Sequence, residues 1–243
     1  MMDLSWLSRT EALVGREALE KLAKSHVMVL GLGGVGSFAA EFIARSGIGK
    51  MTIIDGDTVD PSNRNRQLPA LATNHGEAKA QIMKERLLAI NPEIELNVIQ
   101  EFILPQNIPS ILELNPDYCI EAIDSITPKL FFIRHALDSK IPFVSSMGAG
   151  GKKDPTKIKV ADISKSYNCK LAHHIRKKLK KHGIKKGVNV VFSTELPDKE
   201  SLLYTDGSNF KKSAYGTMSY LPAAFGGALA SVVIRNLVDK NHS

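Results

Sequence analysis

The feature that most constrains this chain is a glycine turn set between two apolar runs. Val27-Met28-Val29-Leu30 suits a buried strand, and Gly31-Leu32-Gly33-Gly34-Val35-Gly36 follows it directly. Residues 37–46 read as a helix with Phe38, Phe42 and Ile43 on one face, and a second apolar run, Met51 to Ile54, ends in Asp55. Strand, glycine turn, helix, strand and acid, in that order, make a βαβ unit of the kind that holds a nucleotide. Gly31, Gly33, Gly34 and Gly36 let the backbone turn sharply and approach a phosphate with no Cβ in the way. The helix N-terminus offers N–H groups and partial positive charge to that phosphate. Asp55, about 20 residues past the last glycine, can accept hydrogen bonds from a ribose. A glycine-tight turn can also serve packing alone, so the neighbouring residues must decide.

Those neighbours are polar and cationic. Asp57, Asn63, Arg64, Arg66 and Gln67 crowd the loop after the second strand, and Lys79 lies at the start of the next helix. A dinucleotide site needs no arginine and lysine there unless it holds an extra phosphate, whereas a nucleoside triphosphate needs cations at its phosphates. The helix expected over 76–90 turns Ile82, Met83, Leu87 and Ile90 inward. A cation in its first turn opposes the helix dipole, which argues against a helix-stabilising role for Lys79. Asp124 ends the strand expected over Asp117–Ile123, and ligands of open parallel sheets gather outside the carboxyl ends of the strands. The competing reading makes Asp124 an N-cap for a helix over 128–139.

The remaining chain continues the alternation. A helix is expected within 9–24, with Leu13, Leu19 and Leu22 in the core, and a polar loop over 61–74. Strands are expected over 94–99, 141–145, 158–161 and 188–193, and helices over 105–114, 170–182 and 222–238; residues 147–151 and 197–212 read as connections. This order predicts an α/β, Rossmann-like, doubly wound and mostly parallel sheet, with helices on both faces and a C-terminal extension of the sheet. Residues 1–243 read as a single domain, with a nucleotide-binding part at about 9–146 and a C-terminal part at about 147–243. No apolar run approaching the roughly 18 residues of a membrane span is apparent. The N-terminus lacks a signal-peptide pattern, so a cytoplasmic location is expected. The two cysteines, Cys119 and Cys169, stand too far apart in sequence for a CxxC metal site.

Charge is concentrated. Residues 170–186 hold eight Lys/Arg and no acid, and without them the formal net charge of +7 would fall to −1. Leu171, Ile175 and Leu179 give the helix in this stretch one narrow apolar stripe, and the rest is cationic. A polyanion is the expected partner, bound with salt dependence. A membrane surface fits less well, because the stripe lacks Trp and Phe.

Taken together, Gly-x-Gly-Gly-x-Gly, Asp55-Gly56-Asp57-x-Val59, Ser62-Asn63-x-x-Arg66-Gln67, Lys79 and Ala122-Ile123-Asp124-Ser125 resemble the ATP-dependent adenylating enzymes related to the ubiquitin-activating type. The second half is similar to a narrower group, the tRNA threonylcarbamoyladenosine dehydratases. The matching stretches are Gly148 to Thr156, Val160-Ala161-Asp162-Ile163, the basic helix and Val191-Phe192-Ser193-Thr194-Glu195. The resemblance implies ATP and Mg²⁺ as cofactors, with Gly31, Gly33, Gly34, Gly36, Asp55, Asp57, Asn63, Arg66, Gln67 and Lys79 around the nucleotide and Asp124 on the metal. It implies a homodimer in which Arg9 reaches the partner's ATP phosphates, so Arg9, Arg66, Lys79 and Asp124 form the catalytic set. The substrate it implies is tRNA, held through Arg176, Lys177, Lys178, Lys180 and Lys181.

One variant of the group carries a cysteine just before the Ala-x-Gly segment. Lys211, Lys212 and Ser213 stand there instead, which speaks against a sulphur-transfer role and leaves a sulphur-relay protein as a weakly implied partner. Relatives that activate ubiquitin-like sulphur carriers usually hold zinc on two CxxC pairs, which this chain lacks. Adenylation of such a carrier is the alternative reading. An NAD-dependent oxidoreductase and a non-catalytic tRNA-binding module are the others.

Overall fold

A computed structural model describes residues 3–204 and 213–239. In chain order the elements are α1 (Ser8–Val14), α2 (Arg16–Lys24), β1 (His26–Leu30), α3 (Gly36–Arg45), β2 (Lys50–Ile54), α4 (Lys79–Ile90), β3 (Glu95–Ile99), α5 (Ile108–Leu112) and β4 (Tyr118–Glu121). They continue with α6 (Ile126–Asp138), β5 (Phe143–Ser146), β6 (Ile158–Asp162), α7 (Lys170–Lys181), β7 (Asn189–Ser193), β8 (Leu202–Tyr204), β9 (Ser213–Tyr215) and α8 (Tyr220–Val238).

Seven strands form one sheet in the order β3-β2-β1-β4-β5-β7-β6. All neighbours are parallel except β6 on β7 at one edge. The central strands β1, β4 and β5 are buried along their whole length because both faces are covered, and their few polar residues, His26, Glu121, Ser145 and Ser146, lie at strand ends. In β1, Val27 and Val29 join Met51, Ile53, Ile120 and Val144 in a core under α2, α3, α4 and α8. Met28 and Leu30 turn the other way, to Cys119, Phe132, Phe143 and the α5–α7 side. That alternation is the doubly wound arrangement read from the sequence. Burial pushes the Cys119 thiol far above its ordinary pKa, so it is an inert core residue.

Several local expectations are corrected. Residues 9–24 are two helices, broken at Gly15 with φ +84°, and Leu13 is 84% exposed rather than in the core. α4 starts at Lys79, later than expected, because residues 57–59 and 76–79 first pair with each other around the Thr58–Ala78 bridge. α3 buries Ala39, Ala40, Ile43 and Ala44, while Phe42 is exposed. The 197–212 connection contains β8, which pairs with β9 in a second, two-stranded sheet. Lys211 and Lys212 lie outside the described residues.

α8 also corrects the membrane expectation, since by length and composition alone it is apolar enough to cross a bilayer. Half of it is buried here against α3, α2 and the sheet. Gly226 makes the approach to α3 possible. A Cβ there would sit 2.8 Å from the Val35 carbonyl oxygen and 2.9 Å from the Ala39 nitrogen.

Candidate active site

The glycine turn sits at the carboxyl end of β1, and four other segments close around it. Gly31 has φ +90°, a conformation costly to any residue with a Cβ, and its backbone abuts Ala122 after β4. Gly36 has no room for a side chain, because a Cβ would lie 1.8 Å from the Gly31 carbonyl oxygen. Gly34 packs against the Arg66 backbone and Pro222 of α8. Gly33 differs: the nearest protein atom to its missing Cβ is Gln67 Nε2, at 3.9 Å. The Gln67 Oε1 is buried with no hydrogen-bond partner. An open backbone face beside an unsatisfied acceptor suits a polar ligand lying over Gly33.

Asp55 is buried at the end of β2. Its Oδ2 accepts from the Leu32 N–H at 2.6 Å and its Oδ1 from the Asp57 N–H at 2.8 Å. Burial pushes its carboxyl above the ordinary value, against the two N–H groups and the Lys79 charge. Asp55 therefore ties the glycine turn to β2, and ribose binding would use its remaining lone pairs.

The loop from Asp60 to Gln67 is built by its own polar groups. Asp60 accepts from the Ser62 N–H, and the buried Asn63 Oδ1 accepts from the Asp60 N–H at 3.3 Å. This reciprocal cap commits one lone pair of the Asn63 side-chain oxygen to the turn and holds the residue in the loop. The half-buried Arg66 is aimed by the same loop, donating to the Ser62 carbonyl and Asn65 Oδ1, both at 2.8 Å. Burial holds its guanidinium below the ordinary pKa, opposed by the charges of Asp124 and Asp60. Arg66 and Asp124 thus face one electrostatic region at the strand ends.

Lys79 is buried and paired: its Nζ lies 3.1 Å from Asp57 Oδ2, and its N–H donates to the Asp57 carbonyl. Asp57 answers the charge that the helix dipole disfavours, a partner the sequence reading had left out. Asp124 is exposed just past β4, and the residue at the N-cap of α6 is Ser125. Arg9 is exposed on α1, and its side chain makes no hydrogen bond or ion pair among the described residues.

In α7, Ala172, Ile175 and Leu179 form the buried stripe, with Leu171 only half-buried. Lys177, Lys178, Lys180 and Lys181 are exposed. Arg176 is half-buried, and its Nη1 donates to the carbonyls of Ile163 at 3.2 Å and Ser166 at 2.8 Å. Helical periodicity turns it toward the 163–166 segment, which a count of charges could not reveal. Other participants that sequence reading missed are the Leu32 N–H, Asn65, whose amide donates to the Thr217 carbonyl, and Pro222.

The ThiF family model matches residues 7–243. A tRNA threonylcarbamoyladenosine dehydratase of Bacillus subtilis is 46% identical over 80% of this chain and 76% of its own length. The Escherichia coli protein of that name is 38% identical over 97% of this chain and 96% of its own. Crystal structures of the E. coli enzyme, TcdA, in complex with ATP and with AMP both superpose with a TM-score of 0.88. Each covers at least 98% of this chain and at least 95% of the other, at 38% identity. Matched along nearly all of its length and carrying the strand-end cradle described above, the chain belongs to the ThiF family.

Proposed function

We propose that this protein is an ATP-dependent enzyme that dehydrates N6-threonylcarbamoyladenosine in tRNA to its cyclic form. The observation that carries the reading is the glycine cradle, open over Gly33, with Asp55, Arg66 and Asp124 gathered at its rim. Relatives with that activity in their names match the chain almost end to end.

The chemistry follows from the groups present. The threonine carboxylate attacks the α-phosphorus of ATP and pyrophosphate leaves. The carbamoyl oxygen then attacks the acyl carbon, the mixed anhydride breaks, and the departing AMP carries away the former carboxylate oxygen. With loss of the ureido proton, the net change is removal of one water. The internal attack has a high effective molarity, so no enzyme nucleophile is needed, in keeping with the buried Cys119 and Cys169. Arg66 and Lys79 would offset the charge growing on the phosphates, and Arg9 of a second copy would join them. The exposed Arg9 and Leu13 on one short helix support that dimer.

The donor set suits Mg²⁺. Asp124 offers one hard oxygen ligand, and among the described residues no cluster of three His, Cys, Asp or Glu could form a protein cage. Mg²⁺ typically binds through one or two carboxylates, with phosphates and water completing its shell. It would supply charge neutralisation at the phosphates. The seven-stranded sheet draws on both parts of the chain, which supports reading it as one adenylating domain, and we place the enzyme in the cytoplasm.

The deciding experiment incubates the protein with ATP, Mg²⁺ and tRNA bearing threonylcarbamoyladenosine, then analyses the nucleosides by mass spectrometry. ATP-dependent loss of one water is expected. AMP formed with the nucleoside unchanged would redirect the search to a protein carboxylate, such as a sulphur carrier's C-terminus.

α7 supplies tRNA contact by charge rather than base reading. Replacing Lys177, Lys178, Lys180 and Lys181 together by Gln should lower the slope of log affinity against log salt by about 3. Arg176→Ala should leave that slope nearly unchanged and lower the melting temperature instead, since it removes bonds to the 163–166 segment. Filter binding over a salt series and a thermal melt separate the two.

A further inference from the structure

Among groups with no role above, Glu121 and Lys129 stand out. Both side chains are 0% exposed, and they form an ion pair at the carboxyl ends of β4 and β5. Lys129 Nζ also donates to the Ser146 carbonyl at 2.8 Å and to Ser145 Oγ at 3.2 Å, while the Ser145 hydroxyl donates to Glu121. The other Glu121 oxygen, Oε1, accepts from the Ile123 N–H at 2.7 Å. Ile123 immediately precedes Asp124, and Lys129 lies one turn into the helix that follows it. The pair therefore closes a ring around the 122–125 segment, tying both of its ends to the sheet. The Ala122 N–H donates to the Leu30 carbonyl at 2.9 Å, which fixes the same segment to the glycine turn.

Stability does not account for this arrangement. Two charges removed from water lose about as much solvation as their attraction returns, and apolar pairs of similar size commonly replace them without loss. What an apolar pair cannot do is hold the Ile123 N–H and the Ser146 carbonyl at fixed positions. We propose that Glu121 and Lys129 are positioning residues: they hold the 122–125 backbone so that the Asp124 carboxylate meets the metal of the bound triphosphate. The proposal rests on the reading of Asp124 given above. Groups that orient a metal ligand typically change metal affinity 10–100-fold when removed.

The test is binding of a fluorescent ATP analogue by the full chain, titrated with Mg²⁺ and repeated in EDTA. The variants are Asp124→Asn, the double replacement Glu121→Met with Lys129→Met, and Ser145→Ala. For the apolar pair, the Mg²⁺ concentration at half effect should rise at least tenfold while affinity in EDTA stays within twofold of the parent. A merely structural role would move both affinities together. A folded apolar-pair variant with the parent's Mg²⁺ requirement overturns the proposal. Should that variant not fold, Ser145→Ala decides, since it removes a hydrogen bond and no charge. A roughly threefold higher Mg²⁺ requirement supports the proposal, and an unchanged one overturns it. Asp124→Asn separates the two levels. If it keeps the full Mg²⁺ enhancement, the reading of Asp124 itself fails and takes the proposal with it. If it loses the enhancement while the other variants keep theirs, only the positioning role fails.

Discussion

Lys79→Ala should lower ATP–pyrophosphate exchange by about 10²–10³-fold, the usual cost of removing one preorganised group facing developing charge. The alternative source of a defect is loss of the Lys79–Asp57 pair. Magnitudes separate the two. The Asp57 side chain is 45% exposed, so water can replace the lysine and the lost pair is worth about 1 kcal/mol or less. The catalytic loss corresponds to roughly 2.7–4 kcal/mol of transition-state stabilisation. A thermal melt of Lys79→Ala is the control, because loss of the pair alone should cost no more than about 1 kcal/mol of stability. Exchange that survives Lys79→Ala intact would remove Lys79 from the catalytic set.

The glycine turn yields the second large effect, as a contrast between two neighbours. Gly36→Ala drives a Cβ to 1.8 Å from the Gly31 carbonyl oxygen, backbone against backbone, with no flexible side chain to yield. A cost of about 3 kcal/mol or more is expected, lowering the melting temperature by roughly 6–12 °C and eliminating nucleotide binding. Gly33→Ala meets no protein atom within 3.9 Å and should melt within about 3 °C of the parent. Its methyl group would stand where a phosphate is read to approach, so nucleotide affinity should fall at least about tenfold. Thermal melts paired with nucleotide titrations check both. Equal binding by Gly33→Ala and the parent would place the ligand elsewhere.

The two glycines show what a sequence discloses. The order strand, glycines, helix, strand, acid was legible because each residue type answers a local backbone demand. The doubly wound core was legible for the same reason, since unbroken apolar runs such as Val27–Leu30 imply two covered faces. What stayed hidden was long-range or directional. Leu13 has the spacing of a core residue, yet Gly15 breaks the helix and leaves it exposed. Arg176 counts as one more cation in a basic run, but its position around the helix spends it on two carbonyls. Asp57 and Lys79 stand 22 residues apart and meet only because an excursion of the chain closes between them. Glu121 and Lys129 look like ordinary surface charges until the strand ends bury them. Patterns report which face a residue takes, whereas partners require the tertiary fold.

The seating of α8 on the glycine turn, through Pro222 against Gly34 and Gly226 against Val35, has a bearing on how the protein is made. The turn leaves the ribosome about 190 residues before the helix that backs it, an interval of roughly 10–40 s at ordinary synthesis rates. Through that interval α3 lacks the neighbour that covers its outer side, and the turn lacks one of its walls. ATP cannot act as an early template for folding of the first βαβ unit, because the cradle that would grip it is not yet complete. A newborn chain instead depends on a long-range docking step, slow by its contact order, before it can gain stability from its own nucleotide.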